Sequence, residues 1–198
     1  MIQPKQFSEK IFSMKGISKK TIEDHLKLYT GYVSKYNEIS DKIKALTDDD
    51  FLKANQVFST IRSLKTELSF AWGGVVNHEI YFTHLGGNGG TASGNLLQQI
   101  EKDFGSFEEY KKDMKASAIS ARGWVWTIWN SREKRLMNHI GDSQNTYAFW
   151  EAIPLVALDT YEHAYFADYG VNRGQYVDMF FENMDWAIVE NAFKRASA

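Results

Sequence analysis

The chain contains no cysteine, which excludes disulfides, thiolate metal sites and cysteine nucleophiles, and leaves the compartment open. Excess charge is also scarce. With 23 basic and 25 acidic residues the formal net charge is -2, so the chain has no general attraction for nucleic acid or an anionic membrane, and any steering of an anionic substrate must be local. No apolar run approaches the length of a membrane span. Met1 to Ser18 mixes polar and apolar residues without a continuous hydrophobic stretch, so it does not read as a signal peptide. A cytoplasmic protein with neither a nucleic-acid nor a membrane partner is expected. A length of 198 residues suits one compact unit or two small subdomains sharing a core.

What is present is strongly patterned. Ser18 is placed to cap a first helix, because Ile17 and Ile22 stand where a hydrophobic staple needs them. Apolar residues then recur at Ile22, Leu26, Tyr29, Val33, Tyr36 and Ile43, a helical spacing, with His25 on or beside the stripe. Taken alone, a histidine there is more often a core residue than a ligand. Thr47 and three following aspartates cap a second helical pattern. It runs through Phe51, Val57, Phe58, Ile61, Leu64, Leu68 and Trp72 to Gly73, Gly74 and His78. Two adjacent glycines inside a helix cost about 1 kcal/mol each against alanine, so something must compensate. His84 points away from the face of His78, and His139 has no motif around it; both read as structural.

The glycine-rich run His84 to Thr91 reads as a flexible connector, since no Gly-Lys-Ser/Thr follows to make it a phosphate loop. Helices are expected around Leu96 to Ile100 and after Ser106. Trp124 to Asn130 is a β-branched and aromatic strand, Ser131 to Lys134 turns it into Arg135 to Ile140, and Leu155 to Leu158 completes a three-stranded sheet.

That last run ends in Asp159, and four residues later His163 sits in an aromatic cluster. A strand delivering the carboxylate and a helix starting near Thr160 delivering the imidazole would converge on one ion, a donor pair suited to iron, manganese or zinc. A buried aspartate and histidine bonded to each other fit the same residues, and the pair alone does not choose.

Asp159-Thr160-Tyr161-Glu162-His163-Ala164-Tyr165 resembles the Asp-x-Trp-Glu-His-Ala-Tyr signature of the iron/manganese superoxide dismutases, with Tyr161 at the tryptophan position. Thr21 to His25 is similar to that family's first ligand segment, Asn77-His78 followed by Tyr81 to its second, and Gly123-Trp124-Val125-Trp126 to its Gly-Trp-x-Trp. The Phe104-Gly105-Ser106-Phe107 run also resembles the family, and the likeness extends over residues 17 to 190. The resemblance implies that His25, His78, Asp159 and His163 hold one manganese or iron ion per subunit. It implies Tyr32 as the active-site tyrosine and Gln144 as the glutamine that bonds the coordinated solvent. Trp124 and Trp126 would wall the pocket, with Tyr161 beside it and Arg173 near the channel mouth. Gly74 would leave space beside the metal, and Gly74 with Gln144 resembles the manganese-type arrangement, although the four ligands serve either ion. Glu162 would reach across a two-fold axis to the partner subunit's His163, so a homodimer or higher homo-oligomer is implied.

Several positions depart from the family. Tyr32 follows His25 by seven residues where most members have eight. Tyr29 replaces a histidine, and Phe166 the interface tyrosine that pairs with it, so that subunit contact is expected to be changed on both sides. Arg122 replaces a small residue, and the first sixteen residues lack the usual proline-rich opening.

The expectation is therefore an α+β chain, with a long N-terminal α-hairpin, residues 1–86, packed on a C-terminal domain, residues 87–198, that holds a three-stranded antiparallel sheet and flanking helices. The expected function is conversion of two superoxide radicals to dioxygen and hydrogen peroxide by alternating reduction and oxidation of the bound ion. A metal-dependent hydrolase or oxygenase using part of the same ligand set, or a non-catalytic metal-binding module, are the other readings of these residues.

Overall fold

In the computed structural model, which describes residues 1–146 and 149–198, the first half of the chain is a helical hairpin. Its first arm, α1 (Lys19–Lys44), starts where the staple placed it: the Ser18 hydroxyl accepts from the Thr21 amide, and Ile17 and Ile22 are both buried. Ile22, His25, Tyr29 and Val33 follow at helical spacing on the face turned to the second arm, α3 (Thr60–Thr83).

The second helical pattern is not continuous. A one-turn helix, α2 (Asp48–Leu52), is capped by Thr47 and ends before α3 begins at a fresh cap, Ser59, whose hydroxyl accepts from the Arg62 amide. Between them the Asn55 side chain accepts from the amides of Val57 and Phe58, at 2.8 and 3.3 Å. That local turn offers the backbone a partner in competition with the helix. Val57 and Phe58, expected on a buried stripe, are 83% and 80% exposed as a result.

Two helices, α4 (Gly94–Phe104) and α5 (Phe107–Ser120), lead into the sheet, with Ser106 capping the second through the Glu109 amide. The strands are β1 (Trp124–Asn130), β2 (Arg135–Gly141) and β3 (Ala152–Asp159), antiparallel in the order β2-β1-β3. Central strand β1 is buried along its whole length, which is why its sequence shows no polar alternation. The register sets Trp124 opposite Asp159, so the last residue of β3 emerges beside the first of β1. Short α6 (Phe166–Tyr169), then α7 (Arg173–Glu182) and α8 (Trp186–Ala196), close the core. The protein is thus α+β, a helical N-terminal region packed on a three-stranded antiparallel sheet with flanking helices. Among the described residues no helix is long and apolar enough to cross a membrane.

The connector after α3 is pinned. The Asp185 amide donates to the His84 carbonyl at 2.7 Å, and the Gly87 and Gly89 amides donate to Asn183 and Met184. His84 itself is buried, and its Nε2 accepts from the Ala157 amide at 3.1 Å, tying the end of α3 to β3.

Candidate metal centre

Four chain segments deliver one side chain each to a single point. His25 comes from α1, His78 from α3, Asp159 from the end of β3, and His163 from a single 3-10 turn, Glu162–Ala164. The expected helix near Thr160 is absent: Tyr161 is extended, and its amide donates to Asp159 Oδ1 at 2.8 Å, which anchors the carboxylate and delays the turn. The four ligand atoms lie within 4.8 Å of one another. Asp159 Oδ2 is 3.0 Å from His25 Nε2, 3.1 Å from His163 Nε2 and 3.8 Å from His78 Nε2.

The donor set fits a divalent or trivalent transition ion. His78 Nδ1 donates to the Gly74 carbonyl at 2.6 Å, which fixes the tautomer and leaves the Nε2 lone pair aimed at Asp159. That Nε2 is buried and has no hydrogen-bond partner among the described residues. Burial pushes the His78 imidazole down to about 3, assisted by the neighbouring His25 ring. Burial also lowers His25 and outweighs the two effects of Asp159 that would raise it. Burial alone would raise the Asp159 carboxyl, but hydrogen bonds from His163 and His25 hold it below the usual carboxylate range. Neutral imidazoles facing an ionised carboxylate are the protonation states that a metal ion requires of its ligands.

Beside this cluster lies a polar chain. Gln144 is 3% exposed; its Nε2 donates to the Tyr32 hydroxyl at 3.2 Å and its Oε1 accepts from Trp124 Nε1 at 3.0 Å. Trp124 packs edge-on against His78 at 5.2 Å, and the Tyr32 ring lies 5.4 Å from the same histidine. Asn77 supports the arrangement, donating to the Gln144 carbonyl at 3.0 Å and accepting from Trp126 Nε1 at 3.1 Å. Asn77 was legible only as a neighbour of His78. Trp126, expected in the pocket wall beside Trp124, reaches the site through Asn77 and stacks on His139 at 6.1 Å.

The paired glycines of α3 have separate neighbours. A Cβ at Gly74 would stand 2.5 Å from the Tyr32 ring, so this position clears room for the tyrosine. A Cβ at Gly73 would stand 2.1 Å from the Gln144 carbonyl oxygen, so the helix and the Gln144 loop approach only because that side chain is missing.

Tyr161 stacks on His163 at 5.5 Å, and burial raises its hydroxyl above the ordinary tyrosine value. Arg173 donates to the carbonyls of Ala118, Ile119 and Ala121 and to the Tyr165 hydroxyl. With Arg122, Tyr161, Glu162 and His163 it lines an open cleft of about 440 Å³. Glu162 is exposed, and Phe166 is 50% exposed. Tyr29, expected beside Phe166 at a subunit interface, is 1% exposed: standing one turn after His25 on the buried stripe, it turns into its own chain and bonds Lys5 and Glu79.

Residues 92–192 match the family model described as iron/manganese superoxide dismutases, C-terminal domain. The chain is 42% identical over 197 residues to Superoxide dismutase (Fe) of Aquifex aeolicus, covering 98% of this chain and 92% of that protein. It is 41% identical over 186 residues to Superoxide dismutase (Fe) of Aquifex pyrophilus, covering 93% and 87%. To Superoxide dismutase (Mn) of Haloarcula marismortui it is 40% identical over 110 residues, 55% of this chain and 54% of that one.

Proposed function

This chain belongs to the iron/manganese superoxide dismutase family, and from that premise we propose that it dismutes superoxide at one manganese or iron ion held by His25, His78, Asp159 and His163. The observation that carries the assignment is the unpartnered, buried Nε2 of His78, aimed with two other imidazoles at one carboxylate oxygen. When bound, the ion supplies one-electron chemistry, through which two superoxide radicals and two protons become dioxygen and hydrogen peroxide.

The chain's own residues supply orientation and protons. Burial raises the Tyr32 hydroxyl, so it stays protonated at neutral pH and can give or relay a proton while accepting from Gln144. Gln144 is held by Trp124 at its side chain and by Asn77 at its backbone, which fixes its amide against the Tyr32 hydroxyl. Tyr161 orients His163 by stacking. Because the net charge is -2, attraction of the anionic substrate falls to local cations, and Arg122 and Arg173 stand on the cleft that exposes His163.

The exposed Glu162 supports a homodimer in which it reaches the partner subunit's His163. We further propose a two-domain division at residues 86 and 87, supported by the placement of His25 and His78 on α1 and α3, of Asp159 at the end of β3 and of His163 in the turn after it. Gly74 with Gln144 leans toward manganese, whereas the relatives that align over nearly the whole chain are named for iron; the same four side chains serve both. The hydrolase, oxygenase and non-catalytic readings are not favoured by these relatives.

The test is superoxide decay measured with the chain loaded separately with manganese, iron and zinc. Rapid decay with manganese or iron, and none with zinc, is expected. Ester hydrolysis with zinc alone, or inertness with every metal, would overturn the assignment.

A further inference from the structure

Tyr29 carries no role in the chemistry above, yet its hydroxyl is among the best-connected groups in the hairpin. It accepts from the Lys5 amide at 2.8 Å and donates to Glu79 Oε1 at 3.1 Å. The Lys5 ammonium closes the triangle by pairing with the other oxygen of Glu79. Glu79 follows His78 directly on α3, and Tyr29 stands one turn after His25 on α1. The Tyr29 hydroxyl therefore bridges the two ligand-bearing helices at the level of their ligands.

The same contact draws the first residues of the chain across the back of the site. Lys5 is held as described, Asn37 exchanges two hydrogen bonds of 2.9 Å with the backbone of Ile2, and Phe7 packs on Tyr29 and Phe82 at 5.5 and 5.1 Å. Phe82 in turn lies edge-on to His25 at 5.0 Å and 6.2 Å from His78. Burial pushes the Tyr29 phenol up to about 12, so it remains a donor to Glu79 throughout the working pH range.

We infer that Tyr29 is a positioning residue: with Lys5 and Glu79 it straps residues 2–7 over α1 and α3 and so fixes the separation of His25 and His78. The inference rests on the reading of those two histidines as metal ligands. A hydrogen bond to a partly buried, ionised carboxylate is worth enough that its loss should loosen the ligand pair without unfolding the hairpin, whose helices remain packed against each other.

Tyr29→Phe removes the hydroxyl and keeps the ring. For the full chain loaded with manganese, release of the ion to excess chelator is expected to be roughly tenfold faster in the variant, as loss of one such bond allows. The electron paramagnetic resonance spectrum of the manganous protein is expected to change with it. Asn37→Ala, which cuts the same segment free at Ile2 but stands three turns from His25, is the control for a purely structural effect; it should lower thermal stability while leaving the spectrum and the release rate near the parent values. Parent-like release and spectrum in Tyr29→Phe, or equal acceleration in both variants, would overturn the proposal. A parent chain that binds no manganese or iron would instead overturn the ligand reading, and the two failures are told apart by that one measurement.

Discussion

Replacing Gly73 by alanine sets two effects of opposite sign against each other. On helix propensity alone the substitution should stabilise α3 by about 1 kcal/mol, since an interior glycine is that much worse than alanine. The new Cβ, however, would fall 2.1 Å from the carbonyl oxygen of Gln144 and 2.7 Å from its carbonyl carbon. The first distance is more than an ångström inside ordinary contact, and the obstacle is backbone, which cannot swing aside as a side-chain tip would. Overpacking of that kind costs about 1–3 kcal/mol. The displaced carbonyl is also the acceptor for Asn77, and losing that bond costs about 1 kcal/mol more. The net expectation is destabilisation by about 1–3 kcal/mol, a fall of roughly 3–10 °C in Tm for a chain of this size. Because the Gln144 backbone must retreat, its side chain leaves Trp124 and Tyr32, so superoxide decay should slow while metal content stays at the parent level. Differential scanning calorimetry and pulsed superoxide generation measure the two arms. A Tm raised by what helix propensity alone supplies, with full turnover, would refute the reasoning.

Gln144→Ala removes the amide that bonds Tyr32 without touching a ligand, so the ion should be retained and the rate of superoxide decay should fall at least tenfold; metal loss in step with the rate would contradict that division of labour. Glu162→Ala should shift the assembly toward monomers in sedimentation velocity, and an unchanged assembly would remove Glu162 from the interface. His84 is held by burial at a pKa of about 3, neutral in the fold but protonated on unfolding below about pH 6.5. Its contribution to stability is whole above that pH and is lost as the pH falls toward about 3, at about 1.4 kcal/mol per unit. Urea unfolding of the metal-free chain should therefore depend less steeply on pH in His84→Gln than in the parent, and equal slopes would count against a neutral buried ring.

The site was legible where its chemistry is local. Asp159 and His163 share one short motif, and an aspartate closing an apolar run is conspicuous whatever surrounds it. Strand β1 was legible because burial on both faces leaves an unbroken aromatic and β-branched run. Other features depend on atoms distant in sequence. The connector after α3 looked flexible from its glycines, yet it is pinned by Asn183, Met184 and Asp185, a hundred residues further on. The contact of Gly74 with the Tyr32 ring was not legible, because that ring comes from another helix. The break between α2 and α3 turned on a single amide side chain, Asn55, capping a turn within an otherwise helical pattern. The inward turn of Tyr29 was not legible, because its place in the family's pattern says nothing of the Lys5 and Glu79 groups it bonds.

His25 and Asp159 are separated by 134 positions. During synthesis the helical hairpin leaves the ribosome with only two of the four proposed ligands, His25 and His78, and the carboxylate of Asp159 follows much later. On the proposed ligand set, a complete site therefore exists only once the sheet has closed onto the hairpin.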